Sequence, residues 1–181
     1  MKAVLISIQP QWCERIALGD KTLEVRKTRP KVEIPFRCYI YQTKKKWLYK
    51  LLAPLKHFAW VETVILGQGK VIGEFICDRV YQYSTADHLD GVDISEEDAI
   101  RMSCLTKKEL EAYEFSAEQK DFCLYMIGLY CWHISNLKIY EKPKKLSDFT
   151  GIKTMRDGFE LRVLERPPQS WCYVMEVNCN G

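Results

Sequence analysis

The chain has 181 residues, of which 47% are hydrophobic and 28% are charged, a composition typical of a folded globular protein rather than a disordered one. This length fits one domain, which we expect to span residues 1–181. The 27 Lys and Arg residues exceed the 24 Asp and Glu residues by only three, so the net charge alone does not indicate nucleic-acid binding. No apolar run is long enough to cross a bilayer, and no membrane partner is expected.

The eight cysteines form no C-x-x-C pair, and no secretory signal precedes the first predicted strand. We therefore expect reduced thiols in a cytoplasmic protein. Cys131 and His133 are two metal-ligand types at a spacing that is common by chance on a strand, so we expect no metal and no other cofactor. The sequence contains no Ser-His-Asp order, Walker loop or dinucleotide glycine pattern.

The first quarter of the chain predicts a strand, a short helix and two further strands. Pro10 is tolerated in the first turn of a helix, and Gly19 fits the C-terminal end of that helix. Alternating Val4, Ile6 and Ile8 indicate the core side of the first strand. The predicted elements are a strand at 2–8, a helix from Gln9 to Gly19, a strand at about 22–28 and a strand at 36–43.

Residues 45–66 differ from their surroundings and predict a helical insertion between two strands. Leu48, Leu51, Leu52 and Leu55 recur at helical spacing, with an interruption at the intervening proline. The chain then returns to a strand pattern at 70–78.

The second half predicts two helices followed by strands. Ser95 and Thr106 have the sequence pattern of helix N-caps, and Thr106 with Glu109 forms a predicted capping box. One long strand is predicted at 128–141, whereas 145–159 shows no clear pattern. Short strands are predicted at 160–164 and 171–177. Strands at both ends with helices between them indicate a mixed α+β domain with a small barrel or curved sheet.

The predicted strand at 22–28 carries charge on one side. Because side chains alternate along a strand, Thr22, Glu24 and Arg26 share a face, and the intervening leucine and valine supply the core side. Lys21 lies at the start of this strand and Lys27 near its end. One interpretation is a solvated face. The other is a cleft in which Arg26 grips a phosphate or carboxylate, Glu24 accepts a hydrogen bond or acts as a base, and Lys21 binds phosphate.

Two further stretches carry candidate ligand-binding residues. Gln9 precedes a predicted helix N-terminus, a position that favours anions. Lys45 and Trp47 belong to a basic and aromatic run that fits a nucleic-acid backbone and its bases. The same run is also typical of the solvated face of a helix.

A Pro-Pro pair near the C-terminus precedes polar and aromatic residues. Residues 167–171 read P-P-Q-S-W, which is either a rigid entry to the last strand or a stiff loop at a binding site. In the second interpretation Gln169 and Ser170 supply hydrogen bonds and Trp171 supplies a stacking surface.

The order of these motifs resembles the ASCH domain family. The stretch S-I-Q-P-Q-W-C, a short helix ending at glycine and then G-D-K-T-L-E-V-R-K resemble the start of that domain. The later stretches G-K-V-I-G-E-F, Y-C-W-H-I-S-N-L and P-P-Q-S-W-C-Y-V follow in the same order. The arrangement is similar to the ASCH proteins often encoded by phages and prophages.

The resemblance implies a PUA-like fold, in which helices flank a small β-barrel and a cleft runs along one side. It implies an RNA-binding or nucleotide-binding module in which Lys21, Glu24 and Arg26 line that cleft. Some members of the family are enzymes: one group deacetylates acetylated cytidine, and another member is a ribonuclease.

The match to the deacetylating group is partial. Lys21 corresponds to the catalytic lysine of that group, but Glu24 lies three positions later, where the group has a threonine nucleophile. A carboxylate does not replace a hydroxyl that must be activated for acyl transfer. The resemblance therefore favours binding, with hydrolysis by Lys21 and Glu24 as the alternative. A protein-interaction scaffold built on residues 45–66 is the third hypothesis.

Overall fold

The strands of the protein are arranged in two sheets in a computed structural model, which describes residues 1–44, 67–84, 92–115 and 128–177. The predicted insertion at 45–66, together with Lys45 and Trp47, lies outside the described residues. The elements are β1 (Lys2–Ile8), α1 (Pro10–Ala17), β2 (Leu23–Arg26), β3 (Phe36–Gln42), β4 (Val71–Cys77), β5 (Val80–Tyr83), α2 (Glu96–Ser103), α3 (Lys107–Glu114), β6 (Leu129–His133), β7 (Ser135–Lys144), a short 3-10 helix (Leu146–Asp148), β8 (Thr150–Met155), β9 (Gly158–Val163) and β10 (Trp171–Met175).

The larger sheet has seven strands in the order β7-β4-β3-β1-β10-β8-β9, and the smaller sheet has the order β2-β6-β5. β1 is parallel to β3, whereas the other pairs are antiparallel. The mixed α+β class is therefore confirmed. The described strands form two separate sheets and do not close into one barrel. The chain changes sheets four times, at β1–β2, β2–β3, β4–β5 and β6–β7.

The change between β6 and β7 corrects the single long strand predicted at 128–141. The strand ends at His133, and a new strand begins at Ser135 in the other sheet. Asn136, with a left-handed φ of 47°, lies just after this break, where the pairing of β7 with β4 shifts register between Ser135 and Lys138. The apolar pattern continues across this break, so periodicity alone does not reveal it.

β1 divides the core of the larger sheet into two clusters. Val4, Ile6 and Ile8 pack on one side with Trp132, as their alternation predicts. The intervening side chain of Leu5 packs on the other side in a second cluster. A third cluster joins the smaller sheet to α2 and α3.

The two predicted helix starts are confirmed. The Ser95 hydroxyl accepts a hydrogen bond from the Asp98 backbone N–H, and Thr106 forms a reciprocal capping box with Glu109. In the described part of the chain, no helix is long and apolar enough to cross a membrane.

The hairpin of β8 and β9 was missed in part by the sequence analysis. β8 occupies residues where no pattern was recognised, and β9 begins at Gly158 rather than at 160. Arg156 and Asp157 connect the two strands. An Asp-Gly dipeptide, the usual signal of a two-residue hairpin turn, is present at Asp157-Gly158, one position after the residues that form the turn.

Gly73 lies where β4 approaches β7 most closely. A Cβ atom at this position would lie 2.5 Å from the Lys138 backbone oxygen. We expect Gly73→Ala to lower the free energy of unfolding by about 1–3 kcal/mol, because the clash involves backbone that cannot move aside easily. Urea denaturation measures the change. Lys142→Ala, an exposed change on β7, is the control and should stay within about 0.5 kcal/mol; an equal effect of both would contradict the close approach.

Candidate ligand-binding site

Lys21, Glu24 and Arg26 form a buried cluster, which we call the charged triad. The Glu24 Oε1 atom lies 2.8 Å from Arg26 Nη2, and its Oε2 atom lies 3.5 Å from Lys21 Nζ. The three side chains are only 2%, 8% and 12% exposed for Lys21, Glu24 and Arg26 respectively. The interpretation of this strand as a solvated polar face is therefore wrong.

Both cations of the triad are held by backbone carbonyls of other elements. Lys21 Nζ donates a hydrogen bond to the Ser103 carbonyl at 2.8 Å, at the end of α2, where the helix dipole favours a positive charge. The ammonium also lies 5.5 Å from the centre of the Trp12 ring on α1. Arg26 Nη2 donates to the Ser7 carbonyl of β1 at 2.7 Å. The triad thereby connects β2 to both helices and to the larger sheet.

Ser7 joins the triad to the Pro-Pro loop at 167–171. Its backbone N–H donates to the Ser170 carbonyl at 2.9 Å, and its hydroxyl donates to the Pro168 carbonyl at 2.7 Å. Since Arg26 donates to the carbonyl of the same serine, two stretches that are about 140 residues apart in sequence meet at one residue of β1.

Two tryptophan side chains lie in the same region as the triad. Trp132 on β6 is directly opposite Glu24 in the strand register, and its ring centre lies 6.0 Å from that of Trp171. Trp171 is half-buried and donates its indole N–H to the Thr28 hydroxyl at 3.1 Å. The predicted stacking residue therefore belongs to the same region as the triad.

Three buried polar atoms of this region lack a hydrogen-bond partner. They are Glu24 Oε2, Arg26 Nε and the indole nitrogen of Trp132. Buried polar groups are almost always hydrogen-bonded, so each exception calls for an explanation such as water or a ligand. Arg26 Nε and the Trp132 indole are thus buried donors without an acceptor, and Glu24 Oε2 has only its ion pair with Lys21.

The neighbouring thiols are protonated and inert. Burial raises the pKa of Cys13 well above its ordinary value, and the Glu24 carboxylate raises it further. Burial likewise raises the pKa of Cys38. Because the thiolate is the reactive form, neither cysteine is poised as a nucleophile.

The remaining predicted residues lie around the triad or apart from it. Gln9 is exposed at the start of α1, and Thr22 is half-buried with its backbone N–H donating to Met102. Lys27 is half-buried, with its ammonium 5.6 Å from the Tyr113 ring centre on α3. Gln169 is exposed and Ser170 is half-buried in the Pro-Pro loop. The side chains of Lys21, Glu24 and Arg26 are largely buried, and the cleft expected around them stays a prediction.

Ser7, Ser103 and Trp132 were missed by the sequence analysis as members of the site. One feature of the sequence could have indicated Ser7, because it is a polar residue inside the apolar run of the first strand. Ser103 contributes only its backbone carbonyl, which no sequence pattern can indicate. Trp132 fits any core strand, and only the strand register places it opposite Glu24.

His133 forms a separate hydrogen bond at the surface. Its Nδ1 atom lies 2.6 Å from the Asp78 carboxylate. This hydrogen bond holds the pKa of Asp78 below its ordinary value. Among the residues that the structure describes, no group of three or more potential metal ligands comes together.

Comparison with solved structures identifies the class of fold. An ASCH protein from Zymomonas mobilis superposes with a TM-score of 0.57 at 16% identity, covering 96% of this chain and 88% of that chain. A serine-to-alanine variant of that protein matches with a TM-score of 0.48 at 15% identity, covering 96% of this chain and 89% of that one. No family model matches the sequence, and no curated protein matches it significantly. The chain therefore has the fold of an ASCH domain, which confirms the resemblance at the level of structure.

We expect the triad to behave as one coupled unit. Glu24→Gln should lower the free energy of unfolding by about 3–5 kcal/mol, because it leaves two buried cations without their counter-charge. Adding Arg26→Met should cost less than the sum of the single changes, with a coupling energy of about 0.5–3 kcal/mol. Denaturant unfolding of the single and double variants measures this coupling.

The control for this cycle is the exposed pair of Arg15 and Asp20, which are 2.9 Å apart. Arg15→Gln should cost below about 1 kcal/mol, because solvent screens an exposed pair. Additive effects at the triad, or equal effects of Glu24→Gln and Arg15→Gln, would contradict the coupling.

The depressed pKa of Asp78 predicts a pH-dependent contribution to stability. A carboxylate whose folded pKa is lowered stabilises the protein above its unfolded pKa, and this contribution is lost as the pH falls through the folded value. We therefore expect Asp78→Asn to destabilise the protein at about pH 6, and the difference from the parent to vanish in acid below the ordinary carboxylate range. Thermal unfolding across pH measures it. In a His133→Asn background the same change should give a smaller pH dependence, because the hydrogen bond with His133 is the largest cause of the lowered pKa; an undiminished dependence there would rule out His133 as the main cause.

Proposed function

We infer that the protein is an RNA-binding or nucleotide-binding module with an ASCH fold, functioning as one domain over residues 1–181. The observation that carries this inference is the trio of buried polar atoms without a hydrogen-bond partner on Glu24, Arg26 and Trp132. Phage or prophage origin, a cytoplasmic location and the PUA-like form of the cleft are further parts of the same hypothesis.

The unpaired atoms favour a ligand with both hydrogen-bond donors and acceptors. Glu24 Oε2 accepts, whereas Arg26 Nε and the Trp132 indole donate. A bare phosphate offers only acceptors and would meet the negative charge of Glu24. The edge of a nucleobase offers both kinds of group, and the nearby tryptophans offer aromatic surface for stacking. A base is therefore the part of the ligand that fits the triad best.

Basic side chains around the smaller sheet fit the phosphates of such a ligand. Arg29 and Arg79 are exposed and lie 5.9 Å and 5.6 Å from the ring centres of Tyr130 and Tyr81. Arginine beside an aromatic ring is the combination that single-stranded nucleic-acid surfaces use for backbone and base contacts. Lys27 and, from its composition alone, the run that contains Lys45 and Trp47 are further proposed contacts of the ligand.

The Pro-Pro loop is the proposed entrance to the triad. Two of its carbonyls hold Ser7, whose own carbonyl holds Arg26. A base reaching the triad would pass this loop and meet the exposed Gln169 and the half-buried Ser170. Gln169, Ser170 and Trp171 would then contact the ligand at the rim.

A hydrolase is the second candidate, favoured by the pairing of Lys21 with Glu24 at 3.5 Å. Glu24, whose Oε2 accepts no hydrogen bond, would activate a water as a base, and Lys21 would stabilise the developing negative charge. The substrate would be a modified nucleoside such as acetylated cytidine, or RNA itself. Turnover that disappears in Glu24→Ala, beside unchanged turnover in Arg156→Ala, would favour this candidate over simple binding.

We expect the protein to bind labelled RNA, single-stranded or hairpin, with an affinity that falls between about 50 mM and about 200 mM salt as counterions are released. Arg26→Gln should weaken binding roughly tenfold, because it removes charge-assisted hydrogen bonds at the triad. Fluorescence anisotropy measures both effects, and circular dichroism verifies the fold of each variant.

The matched control is Arg156→Gln, which removes the same charge from the exposed turn between β8 and β9. It should leave the affinity nearly unchanged. Gln169→Ala, at the exposed loop, tests the same site without disturbing the buried triad and should also weaken binding. RNA affinity that is absent at low salt, or that falls equally in Arg156→Gln and Arg26→Gln, would refute the proposed site.

A further inference from the structure

The larger sheet ends in a strand with unusual exposure of apolar side chains. β9 is the last strand in the order of that sheet, and Phe159, Leu161 and Val163 are 69%, 48% and 57% exposed. Because side chains alternate along a strand, these three lie on one face of β9. In the described part of the chain, no strand pairs with the outer edge of β9.

The hydrogen-bond pattern shows which backbone groups of β9 face outward. The Leu164 N–H donates to the Phe149 carbonyl at 3.0 Å, in register with the β8–β9 ladder. In an antiparallel ladder the backbone groups of alternate residues point to opposite sides. The N–H and C=O groups of Phe159, Leu161 and Val163 therefore point away from β8.

The two edge strands of the larger sheet, β7 and β9, differ in the features that prevent pairing with a strand of another molecule. β7, at the opposite edge, contains Lys138, Lys142 and Pro143, and its pairing with β4 shifts register twice. Lysine, proline and irregular pairing are devices that keep an edge strand from adding another strand. β9 has none of them over its six residues, Gly158–Val163, so its edge is suited to accept a partner strand.

The sequence of β9 is complementary to itself in the antiparallel direction. A two-fold axis through Leu161 places that residue opposite its own copy and Phe159 opposite Val163. The same axis places Glu160 opposite Arg162, two residues that already pair at 2.6 Å within one chain. Apolar residues thus meet apolar residues on one face, and opposite charges meet on the other.

We propose that two copies of this chain associate through antiparallel pairing of their β9 strands about a two-fold axis at Leu161. The outward backbone groups would form a ladder of about six hydrogen bonds, two for each pair of facing residues. The two larger sheets would become one continuous sheet, and the exposed side chains of Phe159 and Val163 would cover each other across the new interface. The interface is self-complementary, as a two-fold dimer requires.

An apolar groove beside β9 extends the same surface. It has a volume of about 490 Å³ and is lined by Met1, Ile152, Thr154, Phe159 and Met175 among others. Thr154 is opposite Phe159 in the strand register, so the groove opens on the apolar face of the hairpin. The end of the second copy's strand would lie against the edge of this groove.

Charge reversal provides a specific test on the full chain. Sedimentation velocity should give the dimer mass, twice 21.3 kDa, for the parent protein. Glu160→Arg and Arg162→Glu, tested separately, should each weaken dimerisation roughly tenfold or more, because like charges then face each other twice across the axis. The double swap, Glu160→Arg with Arg162→Glu, should restore the dimer, and mixing the two single variants should give a mixed dimer.

Two further variants separate this interface from loss of folding. Leu161→Pro removes an outward-facing N–H and leaves the ladder with β8 intact, so the chain should fold and remain monomeric. Glu141→Arg, an exposed change on the opposite edge strand, should leave the dimer unchanged. A parent protein that is monomeric at all concentrations, or a dimer that persists in Glu160→Arg and in Leu161→Pro, would overturn the proposal.

Discussion

The placement of Glu24 between two buried cations is the constraint on which the arrangement of the site depends. Taking these charges out of water is costly, and the cost is offset only where opposite charges and hydrogen bonds surround them. Lys21 completes its contacts with the last carbonyl of α2, and Arg26 does so with the Ser7 carbonyl of β1. The position of the smaller sheet against the helices and the larger sheet is therefore coupled to one carboxylate.

The charged triad makes several strong hydrogen bonds and ion pairs but leaves some of its polar atoms without a hydrogen-bond partner. The cations use some of their donors on backbone carbonyls and some on Glu24, yet Arg26 Nε has no hydrogen-bond partner and Glu24 Oε2 has only its ion pair with Lys21 at 3.5 Å. A purely structural ion cluster gains nothing from such gaps, since an unmade hydrogen bond in a buried place is costly. The folded protein already bears the cost of these unmade hydrogen bonds. A base that supplies the missing partners would remove this cost, which would increase its affinity.

Local patterns in the sequence predicted the secondary-structure elements of the site but not the burial of its charged side chains. Alternation along residues 22–26 indicates which side chains share a face, but it cannot distinguish water from a second layer of protein on that face. Burial of the triad depends on contacts with other elements, among them the hydrogen bond from Lys21 to Ser103, which is 82 residues away in the sequence. The order of the predicted elements resembles that of ASCH domains, and the solved structure with a TM-score of 0.57 supports the fold.

The errors in the predicted strands likewise arise from contacts that local sequence patterns do not show. The apolar pattern runs through the break at Ile134, because this residue is buried in the core that both sheets share. β8 was not recognised because it is only partly buried. Its sequence therefore shows little alternation between apolar and polar residues. Core strands and helix caps were predicted well, since each depends on residues that are close in sequence.

The most direct test of the account follows the indole N–H of Trp132 by two-dimensional nitrogen-proton NMR. The five tryptophans give few indole signals, and Trp132→Phe identifies the relevant one. Because this N–H is buried and has no partner, its proton signal should move downfield when a nucleoside or short RNA binds and supplies an acceptor. A Trp132 indole signal that stays unchanged at saturating ligand would contradict a ligand-binding role for the charged triad.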